Sequence, residues 1–305
     1  MTLQQIFYAL TTADMGSMNK AAEKLYISQP TLTSAIKELE GETGITIFNR
    51  TSRGVTLTAD GRDFLMYARQ IYQQYELLKE KYSPEGTVRR KFSVSCQHYS
   101  FAVKAFANTV NEYDPAQYEF AIKETRTLDV IDDVAQQESE IGILYLSSLN
   151  RKYIMKLLNR DSLEFHPLVS CSAYVYLYKG HPLGKEKEIT FEQLQDYPYL
   201  SFEQGKDSAY YLAEEILSEN DYARVVKVND RATALNLMVG INGYMLCSGI
   251  IDEELNGSDF IAIPYKADSQ NPNAIMEIGY IVKKNSILSD AGRKYIECLK
   301  EYFNK

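Results

Sequence analysis

Between Gly16 and Gly61 the chain reads GSMNKAAEKLYISQPTLTSAIKELEGETGITIFNRTSRGVTLTADG, a block that leaves few folds open. Asn19 to Leu25 predicts one short helix, with Ala21, Ala22 and Leu25 small or apolar for close packing. Tyr26-Ile27-Ser28 makes a turn, and the Ser28 hydroxyl suits the N-cap of the next helix, where it can accept from a free backbone N–H. Pro30 falls in that helix's first turn, where its missing N–H costs nothing. Leu32, Ala35, Ile36 and Leu39 recur at three- to four-residue spacing and define a buried stripe. Ile45, Ile47 and Phe48 then anchor a strand, Arg50-Thr51-Ser52-Arg53-Gly54 makes a polar turn, and Val55 and Leu57 return as the second arm of a hairpin. Two short helices, a tight turn and a basic hairpin together suit the placing of the second helix in the major groove of duplex DNA.

At about 100° per residue, the helix face opposite Leu32 and Ile36 carries Pro30, Ser34 and Lys37, with Thr33 beside them. Ser28, Gln29 and Thr31 lie at the exposed N-terminal end. An amide, hydroxyls and one cation suit base edges and phosphates, and a glutamine can read adenine through two hydrogen bonds. An ordinary solvated face also carries Ser, Thr and Lys, so the hairpin decides: Arg50 and Arg53 near its tip are placed for backbone phosphate or the minor groove. Glu38, Glu40 and Glu42 would repel phosphate, so the N-terminal half of the helix should face DNA. Charge divides the chain in the same sense. Residues 1–91 carry 12 Lys+Arg against 10 Asp+Glu, whereas residues 92–305 carry 21 against 31. A head that is barely basic predicts binding that leans on pairing and a few placed cations.

Upstream, Leu3, Ile6, Phe7 and Leu10 share one face of an amphipathic first helix, without the basic flank and cleavage site of a signal peptide. Downstream, Thr58 can cap a helix from Asp60 to about Tyr82, in which Phe64, Ala68, Ile71, Tyr75, Leu78 and Tyr82 alternate at spacings of four and three. Such a seam marks a helix that lies along another helix, within the chain or in a second copy, and paired heads would read two half-sites. Ser83-Pro84-Glu85-Gly86 breaks the helix and Arg89-Arg90-Lys91 follows as a hinge.

From there strands and helices alternate. FSVSCQ, YEFAIKE and EIGILYL read as strands, with helices over Ser100–Tyr113 and Thr127–Glu138. After a variable stretch come AYVYLYK, PYLSF, RVVKV, GYMLC, DFIAIPY and MEIGYIVKK, and a last helix spans Ser289–Phe303. This argues an open α/β sheet, whose ligands bind beyond the carboxyl ends of strands. The candidates so placed are Gln97, His98, Tyr99 and Ser100, then Thr125, Arg126 and Thr127, and in the second half Ser201, Phe202, Asn229 and Asp230. Each is also a residue type that caps helices or satisfies itself when buried. Arg126 is the residue that an anionic ligand would need.

Other chemistries find little support. Cys96, Cys171, Cys247 and Cys298 are far apart and form no CxxC pair, which predicts buried thiols in a reducing cytosol and no zinc site. No phosphate loop, GxSxG or metal-spaced cluster occurs, so neither an enzyme nor a cofactor is expected; His98, Cys96 and Asp230 are the only groups an enzyme reading could use. No apolar run approaches the ~18 residues of a membrane span.

The block resembles the winged helix-turn-helix of LysR-type transcriptional regulators. GS-x-x-x-AA-x-x-L, SQPTLT-x-x-I-x-x-LE, TG-x-x-x-F-x-R and the closing LT-x-x-G stand in order at family spacing. Ser34 stands where many members carry a basic residue, which predicts a weaker or differently specific contact there. LVSCSAYVYLYKGHPL and LNLMVGINGYMLCSGI are similar to family segments of a second subdomain. The resemblance implies an α/β protein with an N-terminal winged helix-turn-helix and a two-subdomain, periplasmic-binding-protein-like (type 2) effector domain. The expected boundaries are 1–58 for the head, 59–83 for a dimerising linker helix, 84–91 for the hinge and 92–305 for the effector domain. Within that domain, subdomain I takes about 92–162 and 268–305, and subdomain II about 163–267. It further implies a cytoplasmic regulator without enzymatic activity, a homotetramer that binds duplex promoter DNA and engages RNA polymerase. Its control would come from an unidentified small-molecule effector between the lobes, with no metal or other cofactor. A regulator without an effector, and a solute-binding protein, are the alternatives. The second leaves residues 1–61 unexplained.

Overall fold

A reciprocal cap opens the first helix: the Thr2 hydroxyl accepts from Gln5 N and the Gln5 side chain accepts from Thr2 N. Helix α1 (Leu3–Met15) ends at Gly16, which takes the left-handed conformation. Ser17 caps α2 (Met18–Lys24), and Ser28 caps α3 (Gln29–Thr43) by accepting from Thr31 N, with Pro30 in the first turn. Strands β1 (Phe48–Thr51) and β2 (Gly54–Leu57) pair antiparallel, with Arg50 opposite Val55. Val55 N donates to Gly16 O at 2.9 Å, which seats the hairpin on the end of α1. Only glycine fits at Gly54, since its φ is 132° and a Cβ would collide with the Gly16 carbonyl. Thr58 then caps α4 (Ala59–Tyr82) through Gly61 N at 2.8 Å. Leu32, Ile36, Leu39 and Ile47 are fully buried with Ile6, Ala9 and Leu10 of α1, and Leu65 and Ala68 of α4 close the same core.

The computed structural model describes residues 1–51, 54–82, 90–112, 118–205, 209–266 and 272–304. The chain divides into two compact units, Met1–Val88 and Arg89–Lys305. The expected hinge lies mostly outside the described residues, and Arg90 and Lys91 already belong to a strand.

In the second unit β3 (Arg90–Cys96), α5 (Ser100–Glu112), β4 (Tyr118–Glu124), α6 (Thr127–Ala135) and β5 (Ile141–Leu146) alternate as the sequence predicts, with β3 parallel to both neighbours. The chain continues through α7 (Arg151–Arg160), β6 (Leu163–Ser172), β7 (Tyr174–Tyr178), α8 (Phe191–Leu194), β8 (Tyr199–Phe202) and β9 (Val225–Val228). It ends with α9 (Arg231–Gly240), β10 (Met245–Cys247), α10 (Glu253–Asn256), β11 (Phe260–Pro264), β12 (Ile275–Lys283) and α11 (Asp290–Phe303). A five-stranded sheet in the order β4-β3-β5-β12-β6 builds the first lobe. The second lobe holds β10-β7-β11 and the parallel pair β8-β9. Leu200 N to Tyr244 O at 2.8 Å and Tyr244 N to Pro198 O at 3.0 Å join these two pieces.

One expected boundary moves. The sequence places residues 163–172 in subdomain II, but β6 pairs with β12 along its length and belongs to the first lobe. The crossing to the second lobe falls at Ala173, whose N–H donates to Ala274 O. Pro167 hid this strand in the sequence. It is tolerated because β6 is an edge, with a register shift between Ile278 and Gly279 opposite.

Candidate nucleic-acid interface and effector cleft

In the head, the residues of α3 expected to meet DNA are accessible. Ser28, Gln29, Pro30, Thr31, Ser34 and Lys37 are exposed and Thr33 is half-buried. Gln29 Nε2 donates to Thr33 Oγ1 at 2.8 Å, so amide and hydroxyl form one polar unit. The Ser28 hydroxyl is engaged with Thr31, both at its N–H and at its Oγ1. Arg50 is exposed on β1, whereas Arg53 lies outside the described residues. Sequence reasoning missed Tyr26, which at φ 54° stands 96% exposed in the turn between α2 and α3.

The acidic residues of α3 need a correction. Glu40 is no free surface charge: its Oε1 accepts from Ile47 N at 2.7 Å and Phe48 N at 3.1 Å and so fixes the start of the wing. Glu38 is engaged by Gln5 Nε2 and Ser34 Oγ, both at 3.4 Å.

The α4 seam divides in two. Ala68 and Phe64 pack into the head's own core, against their assignment to an intermolecular seam. Ile71, Tyr75, Leu78 and Tyr82 remain exposed, Leu78 at 58% and Tyr82 at 75%. Phe7 of α1 stacks on Tyr72 at 5.0 Å and extends that apolar strip.

In the second unit, Gln97, His98 and Thr127 converge at the carboxyl ends of β3 and β4. Gln97 Nε2 donates to Thr127 Oγ1 at 2.6 Å, and Gln97 Oε1 accepts from Tyr99 OH at 3.0 Å and Tyr145 N at 3.2 Å. Gln97 is therefore internally satisfied. The His98 ring stacks face to face on Phe202 of the other lobe, 3.8 Å between centroids. Ser100 Oγ accepts from Asp252 N at 3.0 Å, another bond between lobes.

Between these residues lies a strap that sequence reasoning did not foresee. After β8 the chain crosses to the first lobe, where Thr127 N donates to Gln204 Oε1 at 3.0 Å and Thr127 Oγ1 to Leu212 O at 2.7 Å. Tyr145 OH donates to the carbonyls of Ala213 and Glu215, both at 3.2 Å. Glu214 then enters the cleft. Its Oε2 accepts from His98 N at 2.9 Å and from His98 Nδ1 at 2.8 Å, and its Oε1 accepts from Gln204 Nε2 at 2.8 Å. A carboxylate cannot donate, so the His98 ring carries a proton on Nδ1. Burial opposes charging of His98, but the bond to Glu214 and the charges of Glu214, Glu124 and Glu215 raise its pKa above the ordinary value. Adjacent Glu215 is pushed up to about 8, first by burial and then by Glu214.

The remaining candidates do not join this cluster. Ser201 accepts from Lys227 Nζ at 2.8 Å. Thr125 Oγ1 donates to Asp129 within its own turn. Asp230 caps α9 through Thr233 N, and Asn229 beside it is exposed. Arg126 is exposed beside Gly205, whose φ is 83° and where a Cβ would come within 3.0 Å of Arg126 Nη1. Beside Glu214 opens a cavity of about 70 Å³, lined largely by Tyr176, Phe202, Leu235, Met238 and Met245. Arg231 lines it and pairs with Glu124 of the opposite lobe. Among the described residues no cluster of three metal-type ligands occurs, and no helix is long and apolar enough to cross a membrane.

Comparison with known proteins agrees with this division. Residues 3–62 match the family model of the bacterial regulatory helix-turn-helix protein, lysR family, and residues 114–304 match that of the LysR substrate binding domain. The HTH-type transcriptional regulator YbhD of Escherichia coli (strain K12) is 25% identical over 292 residues, 94% of this chain and 87% of that protein. The Hca operon transcriptional activator HcaR of the same organism is 29% identical over 248 residues, 79% of this chain and 78% of that protein. Full-length OxyR of Pseudomonas aeruginosa shares the fold with a TM-score of 0.65 at 20% identity, covering 100% of this chain and 95% of that one. CbnR, a LysR family transcriptional regulator, does so with a TM-score of 0.55 at 14% identity, covering 99% of each chain.

Proposed function

The chain belongs to the LysR family of bacterial regulators and is a DNA-binding transcriptional regulator with an effector-binding domain, and from that premise we propose how its residues divide the work. Gln29 and Thr33 read base edges as one hydrogen-bonded unit. Ser28, Pro30, Thr31, Ser34 and Lys37 line the same surface, and Arg50 and Arg53 hold phosphate. The exposed half of the α4 strip, from Ile71 to Tyr82, pairs two copies so that two heads meet two half-sites. Assembly into tetramers and contact with RNA polymerase follow at the promoter, in the cytoplasm.

A small molecule in the cleft supplies control. The observation that carries this reading is that the two lobes meet here, His98 stacked on Phe202 and Thr127 N donating to Gln204 Oε1, at the strand ends where α/β sheets hold ligands. An effector that favours one closure of the lobes shifts the arrangement of the dimers, and with it the DNA contacts. Footprinting of the promoter beside its own gene, with and without a panel of candidate metabolites, tests this. A change in the protected region with one of them is expected. An unchanged footprint together with no thermal shift across the panel would favour the second reading, a DNA-binding regulator whose lobes serve only as assembly surfaces. The strap that already fills the cleft is the observation in favour of that alternative.

A further inference from the structure

The cleft's most complete set of polar contacts is made to the chain itself. Glu214 is 4% exposed and arrives from 116 residues away to take three hydrogen bonds, from the His98 N–H, the His98 ring and the Gln204 amide. A carboxylate moved out of water is costly unless such donors replace its hydration. The two His98 donors stand just past the carboxyl end of β3, two residues before α5 begins, and the Gln204 amide stands two residues past β8, so together they form an oxyanion site assembled from both lobes. Resting on the reading of this cleft as the effector site, we propose that Glu214 is an internal ligand that holds the lobes together, and that the effector is a small carboxylic acid with an apolar body that displaces it. The effector's carboxylate would take over the donors of His98 and Gln204. Its body would enter the adjoining cavity between Phe202, Met238 and Met245. Arg126, exposed and adjacent in sequence to Thr127, would attract it.

Truncation supplies the test, because Glu214→Ala removes a group equivalent to acetate and leaves its donors in place. In the full-length chain the variant should melt several degrees below wild type, and millimolar sodium acetate should restore the loss while leaving wild type unmoved. Sodium chloride at equal ionic strength should restore nothing. Restoration by chloride as well as acetate would overturn the proposal, and so would an unaltered melting temperature in the variant. Should Glu214→Ala not fold, Glu214→Gln keeps the shape but turns an amide NH₂ toward a donor. It should melt below wild type and below a control, Glu203→Gln, at an exposed acid; equal melting of all three would overturn the proposal. Promoter footprints separate this idea from the reading beneath it. Acetate rescue of stability with one unvarying footprint leaves the internal ligand standing and refutes control of DNA by the cleft. A metabolite-dependent footprint without acetate rescue does the reverse.

Discussion

Arg231 and Glu124 face each other across the lobes of the effector unit, Nε to carboxylate oxygen at 2.8 Å, each about three-quarters buried. Arg231 Nη1 also donates to Asn256 Oδ1 at 3.1 Å, so one guanidinium ties β4, α9 and α10 together. Losing either partner should cost about 1–2 kcal/mol, between the values for exposed and buried charged pairs. For a unit of this size that is a fall of roughly 2–8 °C in melting temperature. The double variant Glu124→Ala/Arg231→Ala should melt close to the singles, since each already breaks the pair. Thermal unfolding decides it: losses that simply add would mean the two side chains are not coupled.

Glu40 offers a prediction against the charge-based expectation for α3. Because its carboxylate satisfies two N–H groups at the start of the wing, Glu40→Ala should destabilise the head by about 1–3 kcal/mol. A phosphate-repelling role would instead strengthen DNA binding and steepen its salt dependence. Anisotropy titrations at two salt concentrations, run below the unfolding range, should give the wild-type slope.

How much the sequence disclosed follows from the range of each interaction. Caps and turns are local, so Ser28, Pro30 and Thr58 could be read from neighbours along the chain and stand where the sequence puts them. Parallel strands of the first lobe announce themselves by apolar runs such as EIGILYL, every residue of whose strand β5 is buried. Glu40 misled because its partners lie seven and eight residues on, at backbone groups that carry no signature. The strap was hidden for a stronger reason. AEEILSEN has the look of a helix, yet Leu217 sits at φ 59° and the segment forms no α-helix, because its bonds go to the other lobe. Adjacent glutamates between apolar residues were the one available sign that this acid pair is buried.

The two halves of the α4 strip should respond differently to charge. Ile71→Asp with Leu78→Asp alters exposed residues only, so the head should remain folded while the dimer dissociates. Phe64→Asp should instead unfold the head, since Phe64 packs on its core. Light scattering with circular dichroism separates the outcomes; an unaltered mass in the double variant would remove the seam.

For DNA, replacing Gln29 should relax sequence preference by about 1–3 kcal/mol of discrimination at the affected base, whereas replacing Arg50 should weaken all duplexes alike and lower the salt slope by about 1. Thr33→Ala should mimic Gln29→Ala in part, because the hydroxyl holds the amide. Competition between specific and random duplexes provides the measurement. Identical behaviour of the glutamine and arginine variants would show that the roles are wrongly divided.

The buried acid pair sets a pH dependence with a definite sign. Glu215 Oε1 accepts from Phe202 N at 2.6 Å, while its Oε2 has no hydrogen-bond partner among the described residues. Burial and the neighbouring Glu214 raise its pKa from 4.5 to about 8, against the opposing pull of the Phe202 N–H and Lys227. The folded form therefore holds a proton that the unfolded chain releases near its ordinary value. That contribution to stability is complete below about pH 4.5 and is lost as pH rises through about 8. His98, also raised, adds a loss of the same sign. The effector unit should thus melt progressively lower from pH 5 to pH 8.5. Glu215→Gln keeps a neutral side chain that still accepts from Phe202 N, so its melting temperature should track wild type at pH 5 and exceed it at pH 8.5. Parallel melting curves for the two proteins across that range would mean that Glu215 is already ionised in the folded chain.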